Sequence, residues 1–461
     1  MPDLIAAVAT APVPSAIGIL RLSGPGSIHT VDKVFRADSG LPLSQVPNRR
    51  LVYGSLLDRE GSVIDKVLAT VSRAPHSYTG EETAELQCHG APLVLSLGME
   101  ALCAAGARPA GPGEFTRRAF LNGKLDLAQA EAVADLLEAE TAAAARSAAG
   151  QLTGALSRRI EEIYDGLLDL SAHFQAVLDY PDEGLDPFQI EEMSHSLRHA
   201  EEKLTDLLSS YERGKFLIKG VPCAIVGLPN AGKSSLLNAL LGYQRAIVTD
   251  IPGTTRDTVE ERCVLGGVLL RLIDTAGLRD TADPVERLGV ERSRAALQEA
   301  RLALVLLDGS APPDPVREAA EAALLDEALK TTPHLLLVRT KSDLAQTGTP
   351  LPAGGAHLPV VSVSARTGAG LEELAAAVSA LFSGDGSDES GVILTNARQA
   401  EAAGRALAAV RTGLSGLEAG ITPDAVLSDV EVALESLGNL TGRSLREDVV
   451  ARIFSRFCVG K

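Results

Sequence analysis

The residues with the clearest chemical potential lie in one run, Gly227-Leu-Pro-Asn-Ala-Gly-Lys233-Ser234. Two glycines bracket it, and a lysine and a serine close it, a set of types suited to polyphosphate. Gly227 and Gly232 let the backbone turn until its N–H groups point inward at an anion. Lys233 is placed to reach the β- and γ-phosphates of a nucleoside triphosphate, and Ser234 to ligate Mg²⁺. Asn230, Ala231 and Ser235 complete the run. The elements that must hold it are legible too. Ala224–Val226 reads as a buried strand, and Leu236, Leu237, Leu240 and Leu241 repeat with helical period. The helix that follows adds the partial positive charge of its N-terminus. Strand, glycine loop and helix in this order predict a site for a nucleoside triphosphate.

Four further stretches fall in the order such a site requires. Asp274, Thr275, Ala276 and Gly277 end an apolar run, where an acid can hold Mg²⁺ through water and a glycine N–H can sense the γ-phosphate. Between them and the first loop lie Thr249, Asp250, Ile251, Pro252, Gly253, Thr254 and Thr255, where a switch threonine completes the Mg²⁺ shell. Thr340, Lys341, Ser342 and Asp343 follow the strand Leu335–Val338. A carboxylate there accepts from both the ring N–H and the exocyclic amine of guanine, a donor pair that adenine lacks, so Asp343 selects GTP. Ser364, Ala365 and Arg366 support the base through backbone N–H groups. Two positions depart from the usual pattern. Thr340 stands where an asparagine is common; it keeps a hydroxyl but loses the amide that braces the loop, which predicts weaker nucleotide binding with unchanged base choice. Leu278 stands where Ras-like enzymes carry the glutamine that orients the attacking water, so that task must pass to another group. Arg279, Asp280, Asp283, Glu286 and Arg287 are the candidates.

The rest of the chain must carry this site. Its 461 residues suffice for two to four domains, with cores resting on aliphatic side chains because aromatics are few and tryptophan is absent. The five cysteines are scattered without a C-x-x-C pair, which argues for a reducing compartment and against a structural zinc site. No signal peptide opens the sequence and no apolar stretch nears the ~20 residues a membrane helix needs. The expectation is a soluble, cytoplasmic protein. A net charge of −17 and the lack of any Lys/Arg run sit awkwardly with a nucleic-acid substrate.

Residues 1–123 read as a mixed α/β unit with strands at Ile17–Leu22, Leu51–Leu57, Lys66–Val71 and Thr83–His89 and a helix over Pro92–Ala105. Composition makes turns of Ser77–Glu85 and Gly111–Arg118. From Lys124 to Phe216 the texture is helical, with one unbroken apolar stripe from Leu152 to Val177 and a second from Ile190 to Leu208. Helical texture returns at Thr395–Val410, Asp424–Leu437 and Ser444–Phe457. The block between, Val221–Leu381, alternates apolar runs with helical patterns, the mark of a mainly parallel sheet covered on both faces. The fold expected is multidomain: an N-terminal α+β domain (1–123), a discontinuous helical domain (124–216 and 384–461) and an inserted P-loop domain (217–383). Its hinges fall at Gly214–Val221 and Ser383–Gly391.

At this point the sequence resembles a known family along essentially its whole length, the tRNA modification GTPases called MnmE or TrmE. The stretches that carry the resemblance are Gly18–Gly24, Ser77–Glu81, Glu85-Leu-Gln-Cys-His-Gly90, Pro112–Leu127, Ala128–Asp135, Gly227–Ser234, Asp250–Asp257, Asp274–Arg279 and the terminal Cys458-Val-Gly-Lys461. The resemblance implies that the N-terminal domain dimerises and binds 5-formyltetrahydrofolate through Arg21, Glu85 and Lys124, with Lys461 reaching in, and that the inserted domain is a Ras-like G domain. It implies Glu286 as the acid that orients water. It implies K⁺ held by Asn230 and by the loop residues Thr249, Ile251 and Thr254 in place of an arginine finger, with Arg256 and Arg279 as alternative positive charges. Cys458 is either a reactive thiol or a small apolar residue packed beside Phe454 and Phe457.

The activity this implies is a homodimeric, potassium-dependent GTPase. With a flavin-containing partner resembling MnmG, it adds carboxymethylaminomethyl or aminomethyl groups to the wobble uridine of certain tRNAs, using a folate one-carbon unit. The partner would carry most of the RNA-binding surface. Two rival readings are a ribosome-assembly switch, which a basic KH-like module would favour and none is visible, and a folate enzyme whose G domain only regulates it.

Overall fold

The computed structural model describes residues 3–179, 190–243, 261–273, 294–345, 351–382, 390–443, 453, 454, 457 and 460. They fall into two compact units, one of residues 1–134 with 434–461 and the other of residues 135–433.

The first unit is built on seven strands. In chain order its elements are β1 (Ile5–Val8), β2 (Ser15–Ser23), α1 (Ser27–Val34), β3 (Phe35–Ala37), β4 (Val52–Leu57), β5 (Val63–Ser72), β6 (Thr83–Gly90), α2 (Pro92–Ala104), β7 (Arg108–Pro109), α3 (Glu114–Leu121) and the start of α4 (Leu127–Glu138). The sheet order is β3-β4-β5-β6-β2-β1-β7, antiparallel except between β1 and β7. Period-two alternation explains the inner face. Ala84, Leu86 and Cys88 of β6 and Leu20 and Leu22 of β2 point into a core with Ile28 and Val31 of α1 and Leu95 and Leu102 of α2. The four strands and the long helix expected from sequence are all found, with slightly shifted ends. Strands β1, β3 and β7 were not foreseen, because two to four residues carry no readable alternation.

Gly111–Arg118 is not simply a turn. Gly113 takes φ 62° and α3 starts at the next residue, burying Phe115 and Ala119. Glycine and proline mask the start of this short helical period. In the same unit Phe454 is fully buried against Leu127 and Ala130, with its ring 6.1 Å from that of Phe120. The expected helix Ser444–Phe457 otherwise lies outside the described residues.

The second unit runs through α5 (Ala142–Leu152), α6 (Ala155–Asp179), α7 (Ile190–Ser209), α8 (Tyr211–Lys219), β8 (Val221–Gly227), α9 (Lys233–Tyr243), β9 (Glu261–Leu265), β10 (Val268–Leu272), β11 (Leu302–Asp308), α10 (Pro315–Thr331), β12 (His334–Thr340), β13 (Val360–Ser362), α11 (Leu371–Phe382), α12 (Ala397–Glu418) and most of α13 (Pro423–Thr441). Its six-stranded sheet has the order β13-β12-β11-β8-β10-β9, parallel except for the β9–β10 hairpin. Strands β8, β11 and β12 are continuous apolar runs because both faces are covered. Ile225, Leu304 and Leu336 pack with Leu237 of α9 and Leu374 of α11, while Val226, Val305 and Leu337 pack with Leu297 and with Leu325 of α10.

One sequence expectation is corrected here. The stripe Leu152–Val177 is interrupted: α5 ends at Leu152, Gly154 takes φ 84°, and α6 begins at Ala155. A two-residue break preserves the apolar period, so the pattern alone does not reveal it. Within the stretch Gly214–Val221 α8 runs to Lys219, and only Gly220 (φ 81°) separates it from β8. Gly214 sits where a Cβ would come within 2.2 Å of the Leu394 carbonyl oxygen, so the returning segment 390–395 presses directly on α8. Ser210 Oγ accepts from the Leu394 N–H at 3.2 Å, and Gln151 Nε2 donates to the Ile393 carbonyl at 2.8 Å. Beyond it α12 packs along α7, with Arg411 Nε 2.7 Å from Glu201 Oε1. Among the described residues no helix is long and apolar enough to cross a membrane.

Candidate functional site

The sheet order of the second unit reverses beside β8, and in such sheets ligands settle at the carboxyl ends of the strands at that point. The run Leu228–Gly232 leaves β8 there and α9 begins at Lys233. Gly227 lies so close to Leu306 that a Cβ would stand 2.9 Å from its carbonyl oxygen. Asn230 (φ 63°) and Gly232 (φ 91°) adopt the left-handed backbone, which asparagine tolerates better than most residues. Lys233 folds back over this loop, donating from Nζ to the carbonyls of Gly227 (2.8 Å) and Leu228 (3.0 Å). Burial pulls its ammonium below the usual lysine range. A polyphosphate entering the loop competes with those two carbonyls for the same ammonium. Ser234 and Ser235 stand in the first turn of α9, and Ala231 is buried.

The base loop follows β12. Asp343 Oδ1 accepts from Ser364 Oγ at 2.7 Å, and its Oδ2 lies 3.0 Å from Arg366 Nε. The Ser364 hydroxyl, helped by Arg366, holds this carboxyl below its usual range. The Ser364 hydroxyl in turn accepts from the Thr367 N–H at 3.2 Å, and Ala365 stands between the two side chains that meet Asp343. The Ser342 N–H donates to the Val363 carbonyl at 3.3 Å, tying this loop to the strand end that leads into Ser364.

The hydroxyl that Thr340 keeps links the two loops. Thr340 is buried, and its hydroxyl lies 2.8 Å from the Ala231 carbonyl and 3.2 Å from that of Leu307. The link between base loop and phosphate loop is therefore made by a hydroxyl in place of the missing amide. Sequence reasoning passed over Asp308 at the end of β11, whose Oδ2 is 2.6 Å from Lys341 Nζ. The acid at a strand end beside the base loop was the available signal.

The remaining nucleotide-site candidates lie outside the described residues. They are Thr249, Asp250, Ile251, Pro252, Gly253, Thr254, Thr255, Arg256, Asp274, Thr275, Ala276, Gly277, Arg279, Asp280, Asp283, Glu286 and Arg287.

In the first unit Arg21 and Glu85 face each other across β2 and β6, with Nε 2.7 Å from Oε1. The guanidinium stands 5.9 Å from the Phe115 ring centre, and its Nη1 donates to the Gly460 carbonyl at 3.3 Å. Gly460 adjoins Lys461, which, like Cys458, is outside the described residues. Lys124 lies against Gly80, on the loop where Tyr78 bonds Thr116 at 2.9 Å. The structure thus joins Arg21, Glu85 and Gly460, and sets Lys124, between α3 and α4, against the loop that carries Gly80.

A parallel sheet with a glycine loop at its reversal point, a lysine over that loop and a carboxylate beyond β12 define a P-loop nucleotide-binding protein. Residues 4–124 match the family model described as the GTP-binding protein TrmE N-terminus, and residues 127–458 match that of the MnmE helical domain. Proteins named tRNA modification GTPase MnmE from Roseiflexus sp. and Heliobacterium modesticaldum are each 43% identical to this chain, over 473 and 469 residues. The protein of that name from Thermus thermophilus is 44% identical over 463 residues. Each alignment covers 100% of this chain and 99% of the relative. The chain belongs to the MnmE family of tRNA modification GTPases.

Proposed function

We propose that this chain hydrolyses GTP in the service of tRNA modification. The observation that carries the guanine part is Asp343, held by Ser364 and Arg366 at the mouth of a P-loop sheet. Family membership carries the tRNA part. The domain plan that goes with this reading is an N-terminal folate-binding and dimerisation domain (1–123), a helical domain in two parts (124–216, 384–461) and an inserted G domain (217–383). The return of segment 390–395 onto α5 and α8 supports the two-part helical domain.

In the finer reading Glu286 orients the water that attacks the γ-phosphate. Ser234 and Thr255 hold Mg²⁺, and Asn230 with Thr249, Ile251 and Thr254 holds K⁺. Ser234, in the first turn of α9, and Asn230, on the loop before it, stand beside Lys233, where phosphate oxygens would lie. When bound, the two cations neutralise charge that develops on those oxygens. Lys233 binds the phosphates, and Asp343 accepts from the base.

The N-terminal domain takes 5-formyltetrahydrofolate at Arg21, Glu85, Lys124 and Lys461. The donor set suits it, since a guanidinium binds a glutamate-tail carboxylate and a carboxylate binds the pterin amine. The exposed cross-strand pair Tyr53 and Leu68, with exposed Ile17 two strands on, supports pairing of two copies through this sheet face. A flavin-containing, MnmG-like partner supplies the redox chemistry and accounts for tRNA binding beside a chain of charge −17.

Glu286→Ala is expected to abolish most hydrolysis while nucleotide binding survives; full-speed turnover would overturn its role. Turnover should be faster in K⁺ than in Na⁺ at equal ionic strength, and equal rates would remove the cation from the reading. Mass spectrometry of wobble nucleosides from cells lacking the protein tests the tRNA part, which unchanged nucleosides would refute.

A further inference from the structure

We infer that Asp308, at the end of β11 and outside the recognised nucleotide motifs, is a positioning residue for the guanine nucleotide, acting by holding Lys341. This rests on the GTP reading above. Lys341 adopts φ 57°, a left-handed backbone uncommon for a residue with a long side chain, so its direction is set by its surroundings. Its Nζ stands 2.6 Å from Asp308 Oδ2, and both side chains are mostly covered. The carboxylate does not depend on the lysine for its own orientation. Its Oδ1 accepts from the Ser310 N–H at 3.0 Å and from the Ser310 hydroxyl at 2.7 Å. The backbone fixes the pair further, since Asp308 and Thr340 are partners in the β11–β12 ladder and the Gly309 N–H donates to the Thr340 carbonyl at 3.2 Å.

An anchored acid thus clamps the one cation between Thr340, which braces the phosphate loop, and Asp343, which reads the base. Burial alone would raise the Asp308 carboxyl, but hydrogen bonds from Lys341 and Ser310 bring it below its usual range. It is therefore ionised at neutral pH and able to hold the ammonium. Without it the Lys341 ammonium loses this hold, and the base loop loses one fixed side chain.

The test is a double-mutant cycle on the full chain, read by equilibrium binding and dissociation of a fluorescent GDP. Asp308→Asn keeps the shape and removes the charge. It should loosen GDP about tenfold, the worth of one charge-assisted hydrogen bond. It should also raise KM for GTP by a similar factor, with kcat within about twofold. In a Lys341→Ala background the same substitution should add almost nothing, because both changes break one device. Losses that simply add, or an Asp308→Asn protein that binds GDP like the wild type, would overturn the inference. Selectivity of the wild type for GDP over ADP is the separate check on the guanine reading. If it is absent that reading falls, whereas if it is present and the cycle shows no coupling only the role of Asp308 falls.

Discussion

Replacing Thr340 with valine removes one hydroxyl and little else. The side chain is buried, its volume is nearly conserved, and Cγ2 lies 3.7 Å from the position of a Cβ on Gly232. What disappears is a hydrogen bond shared between the carbonyls of Ala231, in the phosphate loop, and Leu307, at the end of β11. One proton serves both acceptors, so the loss counts once. With a buried carbonyl left short of a donor it amounts to about 1–2 kcal/mol. That loss divides between the free and the nucleotide-bound protein. Urea unfolding without nucleotide measures the first share. Stopped-flow dissociation of a fluorescent GDP measures the second, which reaches roughly 5–30-fold if the whole effect falls there. Thr340→Ser keeps the hydroxyl and should dissociate GDP within a few-fold of the wild type. A valine variant with unchanged unfolding and unchanged dissociation would show that the hydroxyl braces nothing.

Two further outcomes follow from packing and charge. Gly214→Ala should lower the urea midpoint, with a net loss of roughly 2 kcal/mol, although alanine normally gains about 1 kcal/mol inside a helix. The reason is the Leu394 carbonyl 2.2 Å from the new Cβ, and Gly166→Ala in α6, with open space around it, should instead stabilise. At Glu114, burial alone would raise the carboxyl, but hydrogen bonds from Arg108, the Gly111 N–H and Arg118 bring it down to about 2. A carboxyl depressed on folding adds stability above its unfolded pKa and loses it as pH falls through the folded one. The wild type should therefore shed about 2–3 kcal/mol between roughly pH 4.5 and pH 2 that Glu114→Gln does not, measured by urea unfolding across that range. Parallel curves for the two proteins would contradict this.

How far the sequence could be read depended on the reach of each signal. The P-loop sheet was legible because its strands are continuous apolar runs separated by glycine loops, and Lys233, Thr340 and Asp343 lie where the motif order places them. Strand β9 was not, since five residues with charged Glu261 and Arg262 follow no clean alternation. The pairing of Arg21 with Glu85 depends on a register across 64 positions of chain, which no local pattern encodes. The link made by Thr340 is hidden for a related reason. A missing amide is visible in sequence, while the closeness of Ala231 that lets a shorter hydroxyl reach it is a property of the packed sheet.

The meeting of Ser210 with Leu394 has a topological meaning. Some 180 residues separate them, yet the chain departs and comes back within one hydrogen bond. An excursion whose ends are already joined asks nothing more of the surrounding helices as it grows, because loop closure depends only weakly on length once the mouth is fixed. Such a mouth is where a long stretch of chain can be lengthened or shortened without altering the connectivity of the helices on either side of it.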